Sequence, residues 1–205
     1  MQLVLVLLIW RVADFFIALF APLVLPYFGH FSHPSTLAQY QLPHWIIGFA
    51  QFDGIFYLRI AQNGYSQFEQ AFFPLYPLLI RSFSVLFGGN YLVASLVISN
   101  ASFLAGLLLL NKYLKMVLVP AQRKNIPFIF LLLLTFPASF FFGSSYTEGL
   151  FFLLAVSTFY FLQKKSYWLV ALFALLASLT RFIGVFLFIP ILLSQTKNLR
   201  SYSLN

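Results

Sequence analysis

Apolar residues fall along this chain in long runs separated by short polar breaks. Neither strand alternation nor the single apolar stripe of a surface helix describes them. The run from Leu3 to Leu25 is long enough to cross ~30 Å of hydrocarbon, which takes about 20 residues. Arg11 and Asp14 interrupt it three positions apart, on one helix face, where they can pair. Pro26 and the stretch from Gly29 to Pro43 end that helix. Residues 29–71 are the most polar-tolerant segment, holding all three His and two of the four acids. They read as a long loop with a short helix inside, from Gly54 to about Gln62. Asp53 stands at its N-cap position, and Asn63-Gly64 is its stop signal.

The next run, Ala71–Phe87, is apolar but carries Pro74, Pro77 and Arg81, and is expected not to span. Tyr91–Leu110 is long enough to do so. Ile126–Phe142 and Glu148–Leu162 form a hairpin around residues 143–147. Trp168–Leu193 is either one helix or a hairpin broken near Arg181, and the broken form is favoured because it returns Lys197 and Arg200 to the side of the other cations.

Composition decides what these runs face. Apolar residues make up 61% of the chain and charged residues 8%, against about 25% charged in a typical soluble domain. Such a chain cannot cover itself with a hydrated surface, so its apolar faces must meet lipid. The expected fold is all-α: a polytopic transmembrane helical bundle, a single module over residues 1–205. Residues 29–71 form its first extracytoplasmic loop, with short interfacial or re-entrant helices. The charged residues inside the first run, and the missing small-residue cleavage site, argue for a retained helix over a signal peptide.

The net charge of +8 sharpens the topology. Lys112, Lys115, Arg123 and Lys124 surround one connection, and Lys164 and Lys165 sit in another. Both connections therefore face the cytoplasm. The turns at 88–90 and 143–147 then face outside. With a cytoplasmic N-terminus the loop 29–71 is outside as well, and both ends of Ala71–Phe87 lie on that outer side. Irregular backbone at membrane depth is tolerated only where it is buried in protein or lines a wet cavity, which points to a cavity near the outer leaflet. The cations are spent on connections, so nucleic-acid binding is excluded. The absence of Cys excludes disulfide and thiolate chemistry.

With so few acids, each can be weighed. Asp14 is the partner of Arg11. Glu69 reads as a solvated loop charge. Glu148 ends the capping-box pattern Ser145-Tyr-Thr-Glu148 or serves a site. Asp53 is an N-cap or a functional carboxylate. His30 and His33 have metal-like spacing, but no third ligand and no Asp-x-Asp accompany them. No metal site and no cofactor are assigned, and metal dependence stays open. Arg59, Arg81 and Arg181 fall in or beside the outer cavity. Arg59 and Arg81 read as headgroup or ion-pair cations, whereas Arg181 interrupts an otherwise uncharged run and reads as functional. A carboxylate beside guanidiniums suits sugar transfer from a lipid phosphate. Arginine holds the anionic leaving group bidentately, and the carboxylate takes the proton of the attacking hydroxyl. A transporter or flippase for an anionic lipid or solute would use the same parts.

Three ordered motifs separate these readings. Phe52-Asp-Gly-Ile-Phe-Tyr-Leu-Arg-Ile-Ala-Gln-Asn-Gly-Tyr65, followed by Glu69-Gln-Ala-Phe-Phe-Pro-Leu-Tyr-Pro77, resembles the first outer loop of the PIG-V-type mannosyltransferases. Phe136-Pro-Ala-Ser-Phe-Phe-Phe-Gly-Ser-Ser-Tyr-Thr-Glu148-Gly-Leu-Phe151 and Leu179-Thr-Arg181-Phe-Ile-Gly184 are the second and third matches. These enzymes are C-type glycosyltransferases that use polyprenyl- or dolichyl-phosphate sugars. The resemblance implies that Asp53 is the catalytic carboxylate and that Glu69, Glu148 and Arg181 line the same site. It adds Arg59, Tyr65 and Tyr146 as further substrate-binding residues. It also implies inverting transfer of a hexose, mannose in the family, to a glycan or glycolipid acceptor at the outer or luminal face. The membrane would be the plasma membrane of a prokaryote or the endoplasmic reticulum of a eukaryote. Phe52 stands where the family usually has Trp. Family members continue with further spans, so the chain is expected to be an N-terminal portion. The competing readings are the transporter, which would favour internal inverted repeats not found here, and an inactive fragment.

Overall fold

The computed structural model of the chain describes residues 2–25 and 34–194. Among them there are helices and no strands. Helix α1 (Gln2–Val24) covers the first apolar run. The loop expected to hold one short helix holds three among its described residues: α2 (Pro34–Ala38), α3 (His44–Ile47), which tightens into a 3₁₀ turn over Gly48–Ala50, and α4 (Asp53–Asn63). Gly64, at φ +82°, ends α4 as the Asn63-Gly64 signal predicts.

Helix α5 (Leu75–Ser84) starts just after Pro74 and runs into a 3₁₀ turn over Val85–Phe87, too short to span as expected. After the left-handed Gly88 and Gly89, Asn90 caps helix α6 by accepting from the Val93 amide at 3.0 Å. Helix α6 (Tyr91–Val117) outruns the predicted end at Leu110 and carries Lys112 and Lys115 on its last turns. Long lysine stems extend past apolar surface, and cations at a helix C-terminus are favourable. A short turn, α7 (Pro120–Arg123), leads to α8 (Ile126–Thr135).

The run 126–142, expected to be continuous, is broken. Pro137 drives Phe136 into extended backbone (φ −62°, ψ 135°), and the 3₁₀ segment Pro137–Gly143 leaves the preceding helix at 84°. Helices α9 (Glu148–Gln163) and α10 (Tyr167–Ser178) follow. The last apolar run breaks at residues 179–181, the break that the favoured alternative expects, while Lys197 and Arg200 lie outside the described residues. A 3₁₀ segment, Phe182–Leu187, then turns back on α10. A Cβ on Gly184 would sit 2.5 Å from the Ala177 carbonyl, so only glycine permits this return.

Helices α6 and α9 are the centre of the packing and run in the same direction. The Ser99 carbonyl of α6 meets Gly149, Gly106 meets Phe152 and Leu153, and Tyr113 meets Phe159. The turns that begin the two helices therefore lie at one end. Helix α10 returns antiparallel to α9, with Phe161 stacked on Phe173. Its length brings residues 179–181 back to the same end. There the Leu75 amide donates to the Leu179 carbonyl, joining α5 to the break.

One core cluster, including Leu58, Tyr76, Ile80, Leu92 and Leu154, lies between α4, α5, α6 and α9. A second, of Leu7, Phe103, Leu107, Phe130 and Leu134, ties α1 and α8 to α6. Outer helix faces carry large exposed apolar side chains: Leu108, Phe128, Leu131 and Leu175 are 42–59% exposed. Among the described residues, α6 alone is long and apolar enough to cross a bilayer unaided. The segment from Pro120 to Gly143 makes a second such length only as a bent pair.

Two outcomes follow from the packing. A Cβ at Gly149 would lie 2.5 Å from the Ser99 carbonyl and 2.7 Å from the Phe142 carbonyl, both rigid backbone. Gly149→Ala is expected to lose about 1–3 kcal/mol, read as a lower unfolding temperature in detergent, while Gly48→Ala, with open space around it, leaves that temperature unchanged. Tyr76 is fully buried, with its hydroxyl donating to the Ser95 carbonyl at 3.1 Å and 2.7 Å from Ser99 Oγ. Tyr76→Phe is expected to cost about 1–2 kcal/mol in the same measurement.

Candidate active site

The three segments singled out by sequence meet at the end of the bundle shared by α4, α9 and the α10 break. Asp53 is the first residue of α4 and is exposed. It is not the N-cap. Phe52 holds that position, at φ 55° and ψ −122°, and offers no side-chain cap. A positive φ on a bulky residue is a strained conformation that persists only where neighbours over-determine it. Tyr146 supplies that restraint. Its hydroxyl donates to the Gln51 carbonyl at 2.9 Å and also engages the Asp53 backbone, bracketing Phe52 from both sides.

The turn carrying Tyr146 is buried from Gly143 through Thr147. Its Ser145 amide donates to the Phe49 carbonyl at 2.8 Å, and its Tyr146 carbonyl accepts from Ser99 Oγ at 3.0 Å. The predicted capping box does not form. Helix α9 begins at Glu148 with Thr147 as its N-cap, and the Ser145 amide that the Glu148 side chain would have to reach donates to the Phe49 carbonyl instead. Glu148 is free of capping duty and instead accepts from Arg181 Nη1. Arg181 stands in extended backbone at the α10 break (φ −151°, ψ 143°), which aims its side chain back along α9. It also lies 3.4 Å from Thr147 Oγ1 and 6.0 Å from the Phe151 ring. Both partners keep access to solvent, with side-chain exposures of 38% for Arg181 and 27% for Glu148. The second Glu148 carboxylate oxygen is buried and makes no hydrogen bond.

Tyr57, one turn after Asp53 on the same face of α4, completes the cluster. Burial pushes its phenol up to about 12, against a hydrogen bond from Thr147 and with the Glu148 and Asp53 charges adding to the rise. Tyr146 is likewise raised by burial, then by Asp53 and Glu148. Both rises include a smaller contribution from the Asp53 and Glu148 charges, so the two phenols lie close to both carboxylates. Sequence reasoning missed Tyr57 and Thr147 in these roles. Their signal was the four-residue spacing of Tyr57 from Asp53 and the place of Thr147 just before Glu148.

The remaining candidates form another group. Glu69 is not a solvated loop charge: it is 3% exposed, faces Arg59 at 3.1 Å and accepts from the Ser66 amide at 2.8 Å. The loop after α4 folds over it because a buried carboxylate needs a cation and amides around it. Tyr65 donates to the Phe72 carbonyl at 2.5 Å. Arg59, six positions beyond Asp53, projects from a different face of α4. Arg81 is exposed on α5. The Arg11–Asp14 pair forms as expected, at 3.3 Å. His30 and His33 lie outside the described residues, and among those described no group of His, Cys or acidic residues is arranged to hold a metal.

Comparison with known proteins agrees with the motifs on which this end of the bundle is built. No curated protein and no solved structure matches the chain. The family model described as mannosyltransferase (PIG-V) matches residues 1–199, nearly the whole sequence and all three segments of the site. This chain belongs to the PIG-V mannosyltransferase family.

Proposed function

We infer that this chain carries the catalytic end of a membrane glycosyltransferase. It would transfer a hexose, most simply mannose, from a polyprenyl- or dolichyl-phosphate donor to a glycan or glycolipid acceptor. Family membership supports the sugar transfer. The observation that carries the finer reading is the convergence of Arg181, Glu148 and Thr147 with Tyr146, which clasps the backbone at Asp53. An accessible carboxylate beside an accessible guanidinium is what the chemistry needs.

In this reading Asp53 takes the proton from the acceptor hydroxyl as its oxygen attacks the sugar's anomeric carbon. The bond from that carbon to the phosphate oxygen breaks. The leaving phosphate keeps the electron pair and is held by Arg181. One displacement inverts the anomeric centre and requires no covalent intermediate. Arg59 and Glu69 shape the loop after α4, with Tyr65 at its exposed edge. The bilayer reading rests on composition and on the apolar outer faces of α6, α8 and α10, which exceed what a water-facing surface carries. Helices α6 and α9 would share one orientation, with Asp53, the 143–148 turn and Arg181 on the outer or luminal side and the lysines on the cytoplasmic side.

The test uses the full-length protein in vesicles supplied with mannosyl polyprenyl phosphate and acceptor. Asp53→Asn should insert normally and lose about 10²–10⁴-fold in kcat, the usual worth of a general base. Transfer at the wild-type rate would overturn the assignment. Absence of transfer by the wild type, together with lipid movement that survives Asp53→Asn, would favour a flippase. Arg181→Lys keeps the charge but loses the planar fork. It should raise the donor KM roughly tenfold, and an unchanged donor KM would remove Arg181 from the phosphate site.

A further inference from the structure

Arg11 lies in the middle of α1, far in sequence from every motif of the site. Its ion pair with Asp14 (3.3 Å) uses Nη1. Nη2 donates to the Gly143 carbonyl at 2.7 Å, and the same carbonyl accepts from Asn100 of α6 at 2.9 Å. The guanidinium also lies over the Phe49 ring, 4.4 Å from its centroid, and 4.7 Å from that of Phe15. Phe49 is the residue whose carbonyl accepts from the Ser145 amide. Arg11 therefore touches both segments at their junction: the Phe49 ring of the 49–53 segment that ends in Asp53, and the backbone of the 143–148 turn that ends in Glu148. Neither α4 nor α9 has a side-chain cap to fix its start, so their mutual position depends on links across this junction. Gly143 is part of the fit, since a Cβ there would fall 2.5 Å from Arg11 Nη1.

We propose that Arg11 is a positioning residue for sugar transfer, a cationic wedge from the first helix that fixes the Glu148 turn against the Asp53 segment. The inference rests on the site assigned above. A charge pair made only to neutralise Arg11 within α1 would need no contact with Gly143 or Phe49. The wedge uses planarity, two donor nitrogens and a face that stacks on a ring, so lysine cannot replace it.

The test compares wild type with Arg11→Met, Arg11→Lys, Gly143→Ala and the Arg11→Met/Gly143→Ala double variant, all as full-length protein in detergent micelles. Two readouts are taken: steady-state transfer from mannosyl polyprenyl phosphate, and hydrogen exchange of the backbone amides. Each single variant should lose about 10–100-fold in kcat through misplacement of the reacting groups, with donor KM changed less than about twofold. Amides of residues 49–53 and 143–148 should exchange roughly tenfold faster, with those of α6 and α9 unchanged. The double variant should be no worse than the poorer single variant, because both remove the same contact. Wild-type kcat in Arg11→Met, full rescue by Arg11→Lys, or faster exchange across all helices would overturn the inference, the last by showing general destabilisation. Failure of the wild type to transfer sugar would count against the proposed function, while the exchange measurement, which needs no substrate, still decides the role of Arg11.

Discussion

The backbone between Gly143 and Glu148 is irregular and buried, so its polar groups must find partners outside any helix. Three of them do so, and the Thr147 side chain adds a fourth link. The Gly143 carbonyl takes Arg11 of α1 and Asn100 of α6. The Ser145 amide takes the Phe49 carbonyl, and the Tyr146 carbonyl takes Ser99. The Thr147 hydroxyl faces Arg181 of the α10 break. Satisfying this one turn draws four distant segments to one end of the bundle. The candidate site is the region they enclose.

That convergence depends on helix packing at close quarters. Gly149 lets the start of α9 press on the Ser99 and Phe142 carbonyls, and this sets the parallel register of α6 and α9. The α9–α10 pair then works as a hairpin with arms of similar length, 16 and 12 helical residues. The residues after the shorter arm cover the difference and bring Arg181 level with Glu148. Small residues at these crossings allow close backbone approach, which is how helices associate where apolar burial gives little driving force.

Strain and charge are concentrated at the same end. Phe52 holds a positive φ immediately before Asp53, and Tyr146 clasps the backbone on both sides of it. Asp53, Glu148 and Arg181 place two carboxylates and one guanidinium around a pair of buried phenols. Arg181 is paired with Glu148 while Asp53 stays exposed. The proposed reaction would have Arg181 exchange Glu148 for the leaving phosphate.

Much of this was legible in the order of residues. The apolar runs and their proline and glycine breaks gave the all-helical class, the shortness of residues 71–87, the Gly64 stop and the interruption near Arg181. Each depends on local backbone chemistry. The Arg11–Asp14 pair followed from helical periodicity, and the motifs marked Asp53, Glu148 and Arg181. Tertiary structure decided what those residues do. Local rules offered Asp53 and Glu148 as members of N-terminal caps, yet both are first helical residues: Tyr146 clasps the backbone at Gln51 and Asp53, and the Ser145 amide is taken by Phe49. Glu69 looked like a solvated charge until the loop folded it onto Arg59. Arg11 looked complete with Asp14 until the 143–148 turn needed a donor for its first carbonyl. In each case the deciding partner lies far away in sequence, and a buried polar group takes the partner that packing brings to it.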